Sequence, residues 1–461
     1  MSNSIKFSSL DLQPSLLSNL VDIGYEEMTL VQAETLPQMI GGSDVLARAK
    51  TGSGKTAAFG LGLLNKLDAT SFRTQALVLC PTRELADQVA KEIRRLARGI
   101  LNVKILTLCG GVPLRPQLAS LQHSPHIIVG TPGRVLKHLA KETVKLKDLE
   151  TLVLDEADRM LDMGFSEELD AILKFVPKDR QTLLFSATYA ESIVAVSKRV
   201  QRNPIKVDVT GDEQPAQIMQ FWCSVTQENR NTDLVRALRE WGGELNLVFC
   251  NTKIDCTEVA NYLRSQNIAS LALHGDLDQS ERSEVLVRFA NKSASVLIAT
   301  DVAARGLDVK DLNAVFNYEL PRHAEIYLHR IGRTARASKK GVAVSLVERR
   351  EERRWQEIDE LLPDAIRTKC VIPDAKRSAD PLNPSMTTIQ INGGRKNKLR
   401  PGDLLGVLTA DGGVPGDSVG SIDLFDTFSY VAIRNDQATK ALRQLANRAI
   451  KGRMYRAKVR K

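Results

Sequence analysis

The stretch TLVLDEAD at residues 151–158 decides the fold class of this chain. Its first half is a short β-branched and leucine-rich run, which is typical of a buried strand in a parallel sheet. Its second half places Asp155 and Glu156 at the end of that strand, where α/β folds bind nucleotides. One acid there can hold Mg²⁺ and the next can orient a water molecule, although an acidic turn after a strand is also common.

A glycine-rich segment upstream, AKTGSGKT at residues 49–56, supplies a partner for these acids. Its glycines let backbone N–H groups approach phosphate oxygens at the start of a helical stretch. Lys55 would reach the β and γ phosphates, and the Thr56 hydroxyl would take a Mg²⁺ site. The strict pattern has glycine where Ala49 stands. The predicted ATP ligands from this loop are Ala49, Lys50, Thr51, Gly52, Ser53, Gly54, Lys55 and Thr56.

Composition predicts a globular protein of two or three domains in 461 residues, 43% of them hydrophobic. No apolar stretch approaches the ~18 residues that span a membrane. The N-terminus lacks the layout of a signal peptide, and the six scattered cysteines suggest buried, reduced thiols. We therefore expect a cytoplasmic protein without a membrane partner, and a monomer is compatible with the sequence.

Apolar strands alternate with helical stretches twice along the chain, which predicts two parallel-sheet domains. Strands are expected at 44–48, 75–80, 103–108, 126–130, 151–154 and 182–186, and again at 245–250, 270–274, 295–300, 314–318 and 341–347. A polar break at 203–216 is a plausible hinge, and 348–362 is expected as a charged helix. The predicted domains are 1–208, 209–370, a linker at 371–386, and 387–461.

The second domain has no phosphate loop but carries the arginine-rich segment HRIGRTAR at 329–336. Arg333 and Arg336 are three residues apart and share a helical face. Guanidinium groups can stabilise a transferring phosphoryl group, although a solvated face is the commoner explanation. After the strand at 295–300, Gly306 permits close backbone approach and Asp308 could accept from a ribose hydroxyl.

Taken together, these segments resemble a DEAD-box RNA helicase over roughly residues 5–347. The family's elements occur in order: Gln32, AKTGSGKT, PTREL, Gly110-Gly111, TPGR, DEAD, Ser186-Ala187-Thr188, VFCNT, Gln279 with Arg282, ATDVAARGLD and HRIGRTAR. The resemblance implies two RecA-like domains that close around ATP and RNA. Leu30 stands where the family usually has proline before the glutamine, and Ala335 replaces the usual glycine between the two arginines; we expect both departures to be tolerated.

The resemblance also implies a role for each matching residue. Gln32 would read adenine, with Phe7 or Tyr25 against the ring. Asp155 would hold Mg²⁺ through water, and Glu156 would position or deprotonate the attacking water. Asp158, Ser186, Thr188 and His329 would couple hydrolysis to domain closure, and Asp308, Arg333 and Arg336 would complete the ATP site. The RNA backbone would contact Thr82, Arg83, Gly111, Thr131, Gly133, Arg134, Gln279, Arg282 and Thr300.

The last 75 residues carry almost all of the chain's excess positive charge. From 387 to 461 there are 14 lysines and arginines against 6 acids, a net charge of +8 out of +9. The segment reads β-α-β-β-α-β, the order of an RNA-recognition motif, with strands at 387–392, 418–424, 428–434 and 453–459. Phe428 and Tyr430 either stack on bases or only pack. A solvated tail is the alternative to RNA binding.

The expected RNA contacts in this module are basic residues of two segments, with the two aromatic residues beside them: Arg395, Lys396, Lys398, Phe428, Tyr430, Lys451, Arg453, Arg456 and Lys458. A helicase core followed by this module resembles one bacterial branch of the family. That resemblance implies docking on a hairpin of large-subunit (23S) ribosomal RNA and a role in large-subunit assembly. The predicted function is an RNA-stimulated ATPase that locally unwinds short RNA duplexes.

Two other functions are compatible with these patterns. One is an RNA-binding assembly scaffold whose ATPase times its release, and another is a DNA-directed helicase, which backbone contacts alone do not exclude. A transporter-type ATPase is disfavoured because the chain has no LSGGQ-like segment.

Overall fold

The computed structural model describes residues 5–49, 52–209, 218–304, 312–334, 341–361, 367–373 and 382–460. The chain divides into two compact units, Met1–Gln214 and Pro215–Lys461. The predicted third module therefore shares a unit with the second α/β domain, and the predicted domain boundaries stay predictions. Across the described helices, none is long and apolar enough to cross a bilayer.

The first unit is built on a sheet of seven parallel strands in the order β3-β4-β2-β5-β6-β1-β7. The strands are β1 (Val45–Arg48), β2 (Ala76–Leu79), β3 (Ile105–Leu108), β4 (Ile127–Gly130), β5 (Thr151–Leu154), β6 (Gln181–Ser186) and β7 (Ile205–Asp208). The helices are α1 (Pro14–Asp22), α2 (Leu30–Ile40), α3 (Lys55–Lys66), α4 (Arg83–Leu96), α5 (Leu114–Ser120), α6 (Pro132–Ala140), α7 (Ala157–Asp162), α8 (Ser166–Leu173) and α9 (Glu191–Val200).

Strand β7 corrects the sequence prediction, because it lies inside the segment expected to be a polar hinge. Ile205 and Val207 alternate with polar residues, the pattern of a half-buried edge strand, and β7 pairs in parallel with β1. The hinge interpretation missed this two-residue period because the strand is short.

Both faces of the first sheet are covered, which explains why its central strands read as unbroken apolar runs. Successive residues of β1 point to opposite sides: Val45 and Ala47 join a core with α3 and α4, whereas Leu46 joins a core with α6, α8 and α9. The strand ends that carry the functional motifs are therefore fixed between two rigid layers.

The second unit contains another sheet of seven parallel strands, in the order β10-β11-β9-β12-β13-β8-β14. They are β8 (Ile218–Val225), β9 (Asn246–Cys250), β10 (Ser270–Leu273), β11 (Val296–Thr300), β12 (Ala314–Asn317), β13 (Gly341–Glu348) and β14 (Arg367–Lys369). Its helices are α10 (Arg230–Trp241), α11 (Lys253–Ser265), α12 (Gln279–Ala290), α13 (Asp301–Ala304), α14 (Ala324–Ile331) and α15 (Glu352–Leu361). Strands β8 and β14 were not predicted.

The third sheet has four antiparallel strands in the order β16-β17-β15-β18. Its elements are β15 (Met386–Ile391), α16 (Pro401–Thr409), β16 (Val419–Leu424), β17 (Ser429–Arg434), α17 (Ala438–Asn447) and β18 (Ala457–Arg460). This is the predicted element order, and both helices pack on one core with the sheet. Leu382, in the predicted linker, is buried in a core of the second sheet, so that part of the segment is anchored.

Candidate ATP and RNA sites

The phosphate loop follows β1 and ends where α3 begins at Lys55. Gly52 and Gly54 have φ of +91° and +97°, a left-handed backbone that a side chain would strain. The Lys55 side chain is buried and its Nζ donates to the Ala49 carbonyl at 3.0 Å. The α3 N-terminus, its glycine backbone and the buried ammonium suit a polyphosphate. Lys50 and Thr51 lie outside the described residues.

Gln32 is packed directly against this loop. Its Oε1 accepts from the Thr29 N–H at 2.8 Å, and its Nε2 donates to the Gly54 carbonyl at 3.2 Å. The glutamine thus caps α2 and touches the loop although Leu30 replaces the expected proline. Phe7 is buried and meets Tyr25 edge-on, whereas Tyr25 stays partly exposed and donates to Glu92. Of the two alternatives, Tyr25 is the more exposed residue, and the Arg95 guanidinium lies over its ring.

Asp155 stands at the end of β5, and one strand, β6, separates β5 from the phosphate-loop strand β1. Its side chain is buried, and its Oδ1 has no hydrogen-bond partner among the described groups. Burial raises the pKa of Asp155 to about 6 and Glu156 adds to this, while Lys55 opposes it. A buried carboxylate oxygen left without a donor is a suitable ligand for Mg²⁺ or its water.

Glu156 adopts a left-handed backbone with φ of +51°. Its carboxylate accepts from Arg159 Nη1 at 2.5 Å, and both side chains are buried. Arg159 was not predicted from the sequence, because its contact with Glu156 forms only when α7 brings residues three apart onto one face.

Asp158 links the acidic stretch to the end of β6. Its Oδ2 accepts from the Ala187 N–H at 3.0 Å, and its Oδ1 accepts from the Arg159 N–H. Ser186 is fully buried and its Oγ accepts from the Thr188 N–H at 3.2 Å. Strand β6 lies between β5 and β1, so this serine–threonine turn stands between the acids and the phosphate loop.

The candidate RNA residues of the first unit gather at three neighbouring strand ends, those of β2, β3 and β4. Thr82 caps α4 after β2, and Thr131 precedes α6 after β4. The Arg83 guanidinium lies against Gly111, which has no room for a side chain. Gly133 leaves open space beside it. These groups form a single edge with backbone N–H donors and cations.

Arg134 is held at this edge by two contacts. Its Nη1 donates to Gln117 Oε1 at 2.6 Å and its Nη2 to the Val112 carbonyl at 3.0 Å. Burial, and then the Arg83 charge, lowers the pKa of Arg134. Gln117 also contacts the buried His138 ring at 3.0 Å. Neither Gln117 nor His138 was singled out from the sequence.

In the second unit, α12 and α13 bring three predicted RNA residues together. Arg282 Nη2 donates to the Ala303 carbonyl at 2.7 Å, and Thr300 Oγ1 accepts from the Ala303 N–H at 3.4 Å. Gln279 begins the helix that carries Arg282. Gly306, Asp308 and Arg336 lie outside the described residues.

Arg330 is a highly connected residue that the sequence analysis missed. It is buried and pairs with Asp301 through two contacts of 2.7 and 2.8 Å. It also donates to Asn251 Oδ1 at 2.9 Å and to the Glu319 carbonyl at 2.6 Å. The same helix carries His329, and the buried Arg333 follows it. Arg330 therefore fixes the arginine-rich helix against the ends of β9 and β11.

The two basic segments of the C-terminal module meet in the structure. Lys451 Nζ lies 2.7 Å from the Lys398 carbonyl and 2.8 Å from Asp403. The Asn392 N–H donates to the Arg456 carbonyl at 2.9 Å. The remaining candidate cations of this surface have exposed side chains: Arg395, Lys396, Lys398, Arg453, Arg456 and Lys458.

Tyr430 contacts a residue outside the C-terminal module. Its ring is buried, and its hydroxyl donates to Glu284 of α12 at 3.2 Å. Arg460 also pairs with Glu284 at 3.0 Å. Burial and Glu284 raise the pKa of Tyr430. This arrangement favours packing over base stacking for Tyr430, whereas Phe428 keeps partial exposure beside Phe425.

Family profiles match three segments of the chain. One described as DEAD/DEAH box helicase covers 29–196, one described as helicase conserved C-terminal domain covers 229–338, and one described as DbpA RNA binding domain covers 388–459. The ATP-dependent RNA helicase DbpA of Escherichia coli is 52% identical over 454 residues, 98% of this chain and 99% of that protein. The DEAD-box helicase CshA of Bacillus cereus is 44% identical, over 77% of this chain and 67% of CshA.

Solved structures show the same helicase core. Saccharomyces cerevisiae Dbp5 bound to RNA and ADP BeF3 aligns with a TM-score of 0.73 and 30% identity, over 80% of this chain and 96% of Dbp5. Mss116p bound to single-stranded RNA and AMP-PNP aligns with a TM-score of 0.72 and 26% identity, over 81% of each chain.

Proposed function

Because this chain belongs to the DEAD-box ATP-dependent RNA helicases, we propose that it couples ATP hydrolysis to local separation of short RNA duplexes during large-subunit ribosome assembly. The C-terminal module would direct it to 23S ribosomal RNA in the cytoplasm. ATP hydrolysis and RNA binding are properties of the family, whereas this target and this setting are the proposal.

ATP binding and hydrolysis would use residues at the ends of β1 and β5, the two strands that flank β6. The phosphate loop, with Lys55, would bind the triphosphate, and Gln32 would read the base. Asp155 and Thr56 would hold Mg²⁺, which supplies positive charge to the phosphate oxygens. Glu156 would orient or deprotonate the attacking water. Asp155 Oδ1, which has no hydrogen-bond partner among the described groups, and the buried Lys55 support this assignment.

The second domain would contribute charge and coupling. Arg333 and Arg336 would stabilise the transferring phosphoryl group, and Asp308 would contact the sugar. His329 would take part in coupling. The Asp158–Ala187 bond supports a direct route from the acidic stretch to the serine–threonine turn. Hydrolysis would then reset the closed arrangement of the two domains.

The targeting proposal is carried by one observation, the joining of two exposed basic segments through Lys451. A surface on which exposed lysines and arginines outnumber acids favours a polyanion, and contacts of these cations with phosphates would position the RNA. The 52% identity with E. coli DbpA across nearly the whole chain supports a shared RNA target.

Crosslinking the full-length protein to total cellular RNA, followed by sequencing, tests the target. The expected result is enrichment of one 23S fragment, which a Lys396→Ala/Lys451→Ala variant loses while its ATPase with excess generic RNA persists. If the wild-type protein recovered many unrelated RNAs to the same extent, that result would contradict the targeting proposal.

The second candidate is an assembly scaffold whose ATPase only times its release from RNA. A short labelled duplex joined to the bound fragment separates the two functions. Strand separation that depends on ATP supports the helicase function, and ATP-dependent dissociation of the protein with the duplex intact supports the scaffold.

A further inference from the structure

Two cysteines of the second unit face each other at the edge of its parallel sheet. Cys223 lies on β8 and is buried, and Cys370 directly follows the edge strand β14 and is partly exposed. Their sulfur atoms are 2.7 Å apart. The Cys370 N–H donates to the Trp222 carbonyl at 2.9 Å, which continues the β8–β14 ladder to this pair.

Neighbouring strands bring these residues within the range that a disulfide needs. Paired strands lie about 4.8 Å apart, inside the roughly 4.4–6.8 Å between Cα atoms of bridged cysteines. The thiols are also chemically unequal. The contact with Cys370, and then burial, raises the pKa of Cys223, whereas Cys370 is the partly exposed sulfur. The more exposed sulfur is thus the better nucleophile.

We propose that Cys223 and Cys370 form a reversible disulfide when the protein meets a low-molecular-weight disulfide. The Cys370 thiolate attacks one sulfur of that oxidant, forms a mixed disulfide and releases one thiolate. Cys223 then gives up its proton and attacks the Cys370 sulfur, which closes the bond and releases the second thiolate. The protein loses two electrons and two protons, and the oxidant leaves as two thiols.

The bond would add a covalent link to a short edge strand. Strand β14 has three residues and pairs only with β8 among the described strands. The chain beyond Cys370 leads to the RNA-binding module, and its far end is anchored by the buried Leu382. Oxidation would therefore fix the near end of this connection as well, whichever RNA the module binds.

A second cysteine pair in the same unit provides an internal control. Cys250 and Cys256 also interact, but both side chains are fully buried. No oxidant reaches them while the domain is folded. Both pairs bring two thiols close together, but only the Cys223–Cys370 pair is accessible to an oxidant in solution.

The test treats the full-length protein with oxidised glutathione, blocks remaining thiols and maps tryptic peptides without reduction. The expected product links the peptide 207–230 to the peptide 370–376, with Cys250 and Cys256 still alkylated. The melting temperature of the second unit should rise by roughly 5 °C, and trypsin cleavage after Lys369 should slow. Reduction should reverse both effects.

Cys370→Ser and Cys223→Ala should each abolish the linked peptide and the thermal shift. Two outcomes would overturn the inference: only a stable glutathione adduct on Cys370, or cross-linking that is as fast in guanidinium as in the folded protein. Because the linked peptide is measured in the wild-type chain, a variant that folds poorly does not change whether the disulfide is detected.

Discussion

Arg159 and Glu156 form a buried ion pair, with Nη1 and Oε2 2.5 Å apart on the first turn of α7. The pair fixes the direction of the carboxylate that the proposed mechanism assigns to the attacking water. It also places a cation outside the phosphate loop within the proposed ATP site. Replacing each partner in turn therefore separates the chemical role of the carboxylate from the structural role of the pair.

Glu156→Gln should reduce ATP turnover by about 10²–10⁴-fold, because the amide keeps the shape but loses the basic oxygen. ATP and RNA affinity should stay near wild type, as measured by equilibrium titration. Glu150→Gln removes an exposed carboxylate paired with Arg73 and should leave turnover unchanged. Near-normal hydrolysis by Glu156→Gln would refute the role of this residue.

Arg159→Met should destabilise the first unit by about 3–5 kcal/mol, since it leaves a buried carboxylate without its cation. Urea unfolding followed by circular dichroism measures this free energy. Arg199→Met breaks a half-exposed pair with Asp170 and should cost at most about 1 kcal/mol. If both variants lost the same free energy of unfolding, the buried pair would contribute no more to stability than the half-exposed one.

Asp155→Asn should stabilise the ligand-free first unit at neutral pH. The folded pKa of about 6 lies above the unfolded value, so ionisation of Asp155 opposes folding. The Asp155 carboxyl makes its full contribution to the free energy of unfolding below its pKa in the unfolded chain, and this contribution is lost as the pH rises through about 6. The variant should therefore gain about 1–3 kcal/mol at pH 8 and little at pH 4. A pH-independent difference in urea midpoints would contradict this assignment.

Lys451→Ala should weaken RNA binding by the full-length chain and reduce its salt dependence. Removing one cation that neutralises a phosphate lowers the slope of log K against log salt by about 0.7 for single strands. Fluorescence anisotropy across salt concentrations measures the slope. Lys440→Ala removes an exposed charge from α17, outside the two basic segments, and is the matched control. If both variants had the same slope of log K against log salt, the RNA-binding surface would lie outside the two basic segments.

Tyr430→Phe should lower stability by about 0.5–1.5 kcal/mol, because it removes the hydroxyl that donates to Glu284 but keeps the ring. RNA affinity should not change. Tyr430→Leu, which removes the ring, should also bind RNA normally at a temperature where it is folded. A loss of about 1–3 kcal/mol in RNA affinity for the leucine variant alone would restore the stacking role.

The amino-acid sequence by itself determined the fold class, the ordered motifs and the charge asymmetry. Unbroken apolar runs predict buried parallel strands, and the glycine-rich loop and acidic strand end are local patterns with a fixed chemistry. Strands β7, β8 and β14 were not predicted because they are short or only half-buried. Their alternation of apolar and polar residues is therefore a weak signal beside turn-forming neighbours.

Only the tertiary structure decided which distant residues meet. Arg330 contacts Asn251 and Asp301 from separate strand ends, and the Tyr430 hydroxyl donates to Glu284. Lys451 joins Lys398 across the C-terminal module, and Cys223 meets Cys370 across two strands. Local periodicity reports how a residue faces its own element, but strand order and sheet packing set its long-range neighbours, and those depend on the whole chain.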